Sequence, residues 1–89
     1  MPRYEVHRRE HHGGGLYELE ITIRWDVVDT ATGRVVRTID DEESASYDGV
    51  GWAAGCTAYV VDVSVDETDP PAAVIRYRDD RTVRVPLDA

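Results

Sequence analysis

His7, Glu10 and His11 stand at the spacing H-x-x-E-H. On a helix this sets two imidazoles one turn apart to hold zinc, with a carboxylate beside them as general base. The segment around them does not read as a helix. Tyr4 and Val6 alternate with polar residues, and His11-His12 runs directly into Gly13-Gly14-Gly15. On a strand, neighbouring side chains point to opposite faces, so the spacing loses its chemistry. His7, His11 and His12 remain weak metal-ligand candidates at a solvated strand end, and no resident metal or other cofactor is expected.

The other reactive side chains lack partners. Cys56 is the single cysteine, and all three histidines lie in the first twelve residues, so a thiolate–imidazole pair is not indicated. Ser44, Ser46 and Ser64 sit outside any nucleophile-elbow pattern. The acids Asp40, Asp41, Glu42 and Glu43, and the set Asp66, Glu67 and Asp69, do not follow the alternating ligand spacing of a calcium loop. They read as acidic surface. The glycines at 49, 51 and 55 do not form a phosphate-binding loop, and the acidic approach to them disfavours phosphate. No coherent catalytic set emerges.

Two groups of residues suggest binding instead. Tyr47 and Trp52 sit in a glycine-rich stretch. Trp52 either folds back to cap the core or stands out as an anchor for a partner, since Trp and Tyr are preferred hot-spot residues. Arg76, Arg78 and Arg84 fall on one face of two neighbouring strands and would form a basic stripe that invites a carboxylate or phosphate. These five residues are the expected partner-binding set.

The elements that must position them are strands. From 16 to 28, Tyr17, Leu19, Ile21, Ile23, Trp25 and Val27 share one parity and Glu18, Glu20, Thr22, Arg24 and Asp26 the other. That period marks a long antiparallel strand with a dry and a wet face. A first strand covers 3–9, and 9–15 is a flexible glycine-rich connection. Asp29 and Gly33 frame a hairpin turn, and the return strand runs over 34–40. Pairing Asp29 with Arg34 would set Asp26 opposite Arg37. Residues 42–55 break all periodicity and read as a long loop with at most one short helical turn near 43–55. Three further strands follow, with Tyr59, Val61, Val63 and Val65 on one face, then Ala73, Ile75 and Tyr77, then Val83, Val85 and Leu87. Parity pairs Val63 with Ile75 and Asp62 with Arg76. It also pairs Tyr77 with Val83, bringing Arg76 beside Arg84.

Composition limits the rest. Eighty-nine residues suffice for one domain, 1–89, with a single modest core. The formal net charge is −8, and it is uneven: 1–24 balance, 25–70 carry −9 and 71–89 carry +1. Such a chain is repelled by nucleic acid and by anionic membranes. All ten basic residues are arginine. An acid-rich surface without lysine matches a GC-rich or haloadapted source; the rival reading is a surface that imitates the phosphate pattern of nucleic acid. No apolar run is long enough to span a bilayer. The first ten residues have no apolar stretch of a secretion signal, which makes the cytoplasm the expected location.

The expectation is therefore an all-β domain of about six antiparallel strands, a meander rolled into a barrel or sandwich. Its expected role is a non-catalytic protein-interaction or regulatory module that holds a protein partner or a second copy of itself. The alternative is a small-molecule or metal-binding protein, an enzyme included, that uses the 42–55 loop over one end of the barrel.

Overall fold

A computed structural model describes residues 2–68 and 70–87. Within them the chain is all-β and has no helix. Seven strands run in chain order: β1 Tyr4–Gly13, β2 Glu18–Asp29, β3 Arg34–Tyr47, β4 Trp52–Cys56, β5 Val60–Asp66, β6 Ala72–Tyr77 and β7 Thr82–Pro86. They form two separate antiparallel sheets, β1-β2-β3-β4 and β5-β6-β7, each a simple up-and-down meander. Seven strands agree with an expectation of about six; the additional one, β4, comes out of the stretch that reads as a loop. No helical turn forms over 43–55, within the allowance of at most one.

The two sheets meet face to face over one core. The larger sheet contributes Tyr4, Ile23, Trp25 and Val27, and the smaller contributes Val63, Ala73, Ile75 and Leu87. Alternation on β2 explains which side chains enter: Ile23, Trp25 and Val27 are two apart and share the inner face. Arg37 of β3 reaches across to donate to the Pro86 carbonyl at 3.1 Å. The Asp41 carboxylate accepts from the Val60 amide at 2.8 Å. That last contact marks where the smaller sheet begins, and beyond it no strand among the described residues covers the larger one.

The sheets differ greatly in length. A twelve-residue β2 is ~40 Å long, whereas the five to seven residues of β5, β6 and β7 span only ~17–24 Å. Half of the larger sheet therefore projects as an arm, and the molecule measures 53 × 27 × 20 Å. Its Cα radius of gyration of 16.0 Å exceeds the ~12 Å of a compact chain this long.

Three one-residue bulges shift the registers read from parity. Asp29 does face Arg34, but the ladder slips between Val27 and Val28, leaving Val36 without a partner. Asp26 therefore faces Thr38 instead of Arg37. In the smaller sheet Val63 faces Ile75 and Asp62 faces Arg76, as parity requires. A bulge at Val61 then turns that residue outward and brings Val60 against the core. Tyr59 lies before β5, exposed, with the Arg78 guanidinium 4.6 Å from its ring centre. Val83 pairs with Ile75, not Tyr77, so Arg84 faces Val74 and sits diagonal to Arg76.

The two connections expected to be long are short. β1 stays paired with β2 as far as Gly13 opposite Glu20, so the flexible segment shrinks to residues 14–17. Gly14 has φ 104° there, and a Cβ on it would run into the Glu18 carbonyl. Likewise β3 extends to Tyr47 and the chain turns within residues 48–51, where Gly49 has φ 97°. No helix among the described residues is long and apolar enough to cross a membrane.

Candidate interaction surface

The site is the inner face of the projecting arm. Tyr17 and Leu19 have the same parity as Ile21, which still packs against the core, and as the core residues Ile23, Trp25 and Val27, so they continue one apolar stripe past the edge of the second sheet. Leu19 pairs with Ala45, and Ala45 with Ala54. At the tip, the Tyr47 amide donates to the Tyr17 carbonyl at 2.8 Å, and Tyr47 pairs with Trp52. The three rings form a row. Tyr17 stacks on Tyr47 with centroids 6.2 Å apart, and Tyr47 meets Trp52 at 5.4 Å and a 38° tilt. Trp52 is 59% exposed and Tyr17 57%. Leu16 and Val50, on the two turns at this same end, are more exposed still.

An open cleft of about 300 Å3 lies beside the row, lined by Tyr17, Tyr47, Asp48 and Gly49. The Asp48 carboxylate accepts from the Val50 and Gly51 amides at 2.9 and 3.0 Å, which closes the turn. Those two amides hold its carboxyl below the usual carboxylate range, so it is anionic at neutral pH. Trp52 thus does not cap the core; its own neighbours are Tyr47 and solvent.

Acidic residues surround this face. Residues 10–24 and 40–59, which span the arm and its base under the smaller sheet, hold eight carboxylates and one arginine, a formal −7 of the chain's −8. Of these carboxylates, Glu18, Glu20, Asp40 and Glu42 are on the outer face. The run 40–43 lies on β3, so Asp40 and Glu42 point to the outer face while Asp41 and Glu43 point inward. Asp40 accepts from Arg24 Nε at 2.9 Å. Acids divided between two faces do not line up as a phosphate backbone does, and the reading of nucleic-acid imitation loses its support. Glu67 accepts from the Arg3 amide at 2.6 Å, and Asp66 binds Arg84 at 2.7 Å. Asp69 lies outside the described residues.

The basic stripe is not joined to this surface. Arg76, Arg78 and Arg84 belong to the smaller sheet and the turn after β6, away from Tyr47 and Trp52. Arg84 is engaged by Asp66, Arg78 by the Tyr59 ring, and Arg76 faces Asp62 across the ladder.

The histidines are also separated. His7 contacts Glu5 at 3.2 Å and His12 contacts Glu10 at 2.9 Å, while His11 and His12 take opposite faces of β1. Among the described residues no group of three or more His, Cys, Asp or Glu is gathered as metal ligands. Cys56 on β4 is separated from the histidines on β1 by two intervening strands, three spacings of ~4.8 Å or ~14 Å in all. The stretch 42–55 is strand, turn and strand instead of a long loop, and Tyr47, Asp48 and Gly49 of it line the open cleft at the tip.

Tyr17, Leu16, Leu19 and Val50 were not foreseen as surface. The signal was present: a strand of a dozen residues is longer than the core of a small domain, so part of its apolar stripe had to lie outside. Comparison of the chain with family models, curated proteins and solved structures returned no match.

Proposed function

We propose that this chain is a protein-interaction module that docks a partner protein of opposite charge on the uncovered face of its arm. The observation that carries the reading is the row Tyr17–Tyr47–Trp52, which continues the stripe of the core beyond the sheet that covers it. A large aromatic buries ~150–250 Å2, so Tyr17 and Trp52 retain roughly 200–300 Å2 between them for a partner. Leu16, Leu19 and Val50 extend the patch into the several-hundred-Å2 range that marks interaction sites. Tyr47 and Trp52 stand on paired strands and Tyr17 is stacked on Tyr47, so these rings lose little side-chain entropy when a partner covers them, which suits them as anchors. The acidic rim selects against nucleic acid and anionic membrane and favours a cationic protein surface.

The test is site-specific crosslinking in cells that make the chain. A photo-crosslinking amino acid at Val50, on the tip, is compared with one at Glu20, on the outer face. The reading expects a partner captured from Val50 and not from Glu20, and lost when Tyr17→Ala and Trp52→Ala are combined. Equal capture from both positions, or capture indifferent to the two aromatics, overturns it.

A further inference from the structure

The chain treats its aromatic rings in two ways. Tyr4, Trp25, Tyr59 and Tyr77 each carry a guanidinium of the same chain over the ring, from Arg3, Arg8, Arg78 and Arg81 at 4.4–5.4 Å. The other three aromatics are Tyr17, Tyr47 and Trp52, and no arginine of the described residues covers them. Two of them, Tyr17 and Tyr47, line the cleft that holds the ionised carboxylate of Asp48, and Trp52 packs against Tyr47. A ring face attracts a cation through its quadrupole, and a carboxylate at the rim adds a point charge that fixes it.

The strand edge beside them is bare. β4 reads Trp-Ala-Ala-Gly-Cys, with no charge and no proline; its bulge at Gly55 leaves Trp52–Ala54 regular, and its outer side pairs with no strand among the described residues. The opposite edge of the same sheet, β1, is guarded: seven of its ten residues are charged or histidine. Proteins ordinarily blunt an edge that must stay unpaired with charges, proline or bulges. An uncharged edge of small residues lets another backbone approach closely.

Resting on the docking reading above, we infer that the partner presents an extended segment bearing arginine or lysine, which adds as a strand to β4 and sets a cation on the Tyr47–Trp52 row beside Asp48. Main-chain hydrogen bonds along β4 supply the pairing, and the cleft supplies side-chain selection at alternate positions of the segment. A second copy is the poorer occupant. Pairing β4 with its own symmetry mate brings two arms of formal charge −7 together.

The probe is an alternating valine–arginine octapeptide, titrated calorimetrically into the full chain at physiological salt. Its controls are a valine–glutamate octapeptide and a proline–arginine octapeptide, which keeps the cations but loses half of the amide donors. Binding is expected for valine–arginine, with at least tenfold weaker binding for proline–arginine and none for valine–glutamate. Asp48→Asn retains an acceptor for the turn amides and should weaken binding at least fivefold. Glu20→Gln removes the same charge from the outer face and should change it less than twofold.

Equal losses in these two variants would show mere charge attraction and overturn the site. Equal affinity for the proline peptide overturns strand addition. A chain that sediments as a dimer through Trp52 and ignores the peptide overturns the cationic occupant while leaving the docking surface in place. The docking surface itself fails if crosslinking captures equally from Val50 and Glu20, or if the captured partner is indifferent to Tyr17 and Trp52.

Discussion

Trp25 and Trp52 point from the same face of one sheet, yet the second sheet covers Trp25 to 8% exposure and stops short of Trp52, left at 59%. Their substitutions should therefore diverge. Trp25→Ala opens a cavity between the sheets and is expected to cost ~3–5 kcal/mol, a large part of the stability of a domain this size. Trp52→Ala should stay within about 0.5 kcal/mol, as for other surface changes. Urea unfolding of both variants checks this, and a Trp52→Ala cost near that of Trp25→Ala would place Trp52 in the core.

A second network lies on the outer face of the larger sheet. Asp26 is 6% exposed, and its two oxygens accept from Arg9 Nη2 at 2.6 Å and Thr38 Oγ1 at 3.0 Å. Arg9→Ala leaves that carboxylate with the hydroxyl as its remaining side-chain partner, and an under-satisfied buried group costs ~1–3 kcal/mol. Because Arg9 is itself mostly exposed, the expected loss lies at the lower end of that range. Arg9→Lys should recover part of it. Equal stability of wild type and Arg9→Ala in urea would remove the pair from the account.

Asp66 supplies a pH dependence. Its hydrogen bond from Arg84, helped by the Thr68 amide, lowers its pKa from the ordinary 3.8 to about 2. A carboxylate held low in the folded state stabilises the fold above its unfolded value, and that contribution disappears as pH falls through the folded one. Wild type should thus be more stable than Arg84→Gln at pH 6, with the difference shrinking between pH 4 and pH 2. A difference that stays constant over that window contradicts the assignment.

The concentration of acid on the arm predicts a response to salt. Self-repulsion among the arm carboxylates is screened as ionic strength rises. From low salt to 1 M sodium chloride the melting temperature should climb by roughly 5–10 °C, equivalent to ~1 kcal/mol or a little more. Calorimetry that finds no change would mean that the arm charges are already compensated within the chain.

Much of this architecture was legible in the residues, and its gaps have physical causes. Alternation from Tyr17 to Val27 announced β2, and parity alone set Val63 against Ile75 and Asp62 against Arg76. Bulges were not legible, because one inserted residue at Val36, Gly55 or Val61 leaves composition and local pattern unchanged. Gly49, Gly51 and Gly55 made 42–55 look like a loop. In the fold Gly49 serves a tight turn, and Gly55 is the extra residue of a bulge, where a Cβ would sit 2.9 Å from Ser44 Oγ. Of the docking surface, Tyr47 and Trp52 were visible in sequence, while Tyr17 and Leu19 were hidden by their own regularity. Their parity matched the core, and only the mismatch in sheet length exposes them.

The central claim is that the aromatic end of the arm is left open by this fold, and the most direct measurement is acrylamide quenching of Trp52 in a Trp25→Phe protein. The account predicts quenching close to that of a solvent-exposed indole, unchanged over a hundredfold dilution and reduced when the valine–arginine peptide is added. A Trp52 shielded in the isolated chain at every concentration would contradict it.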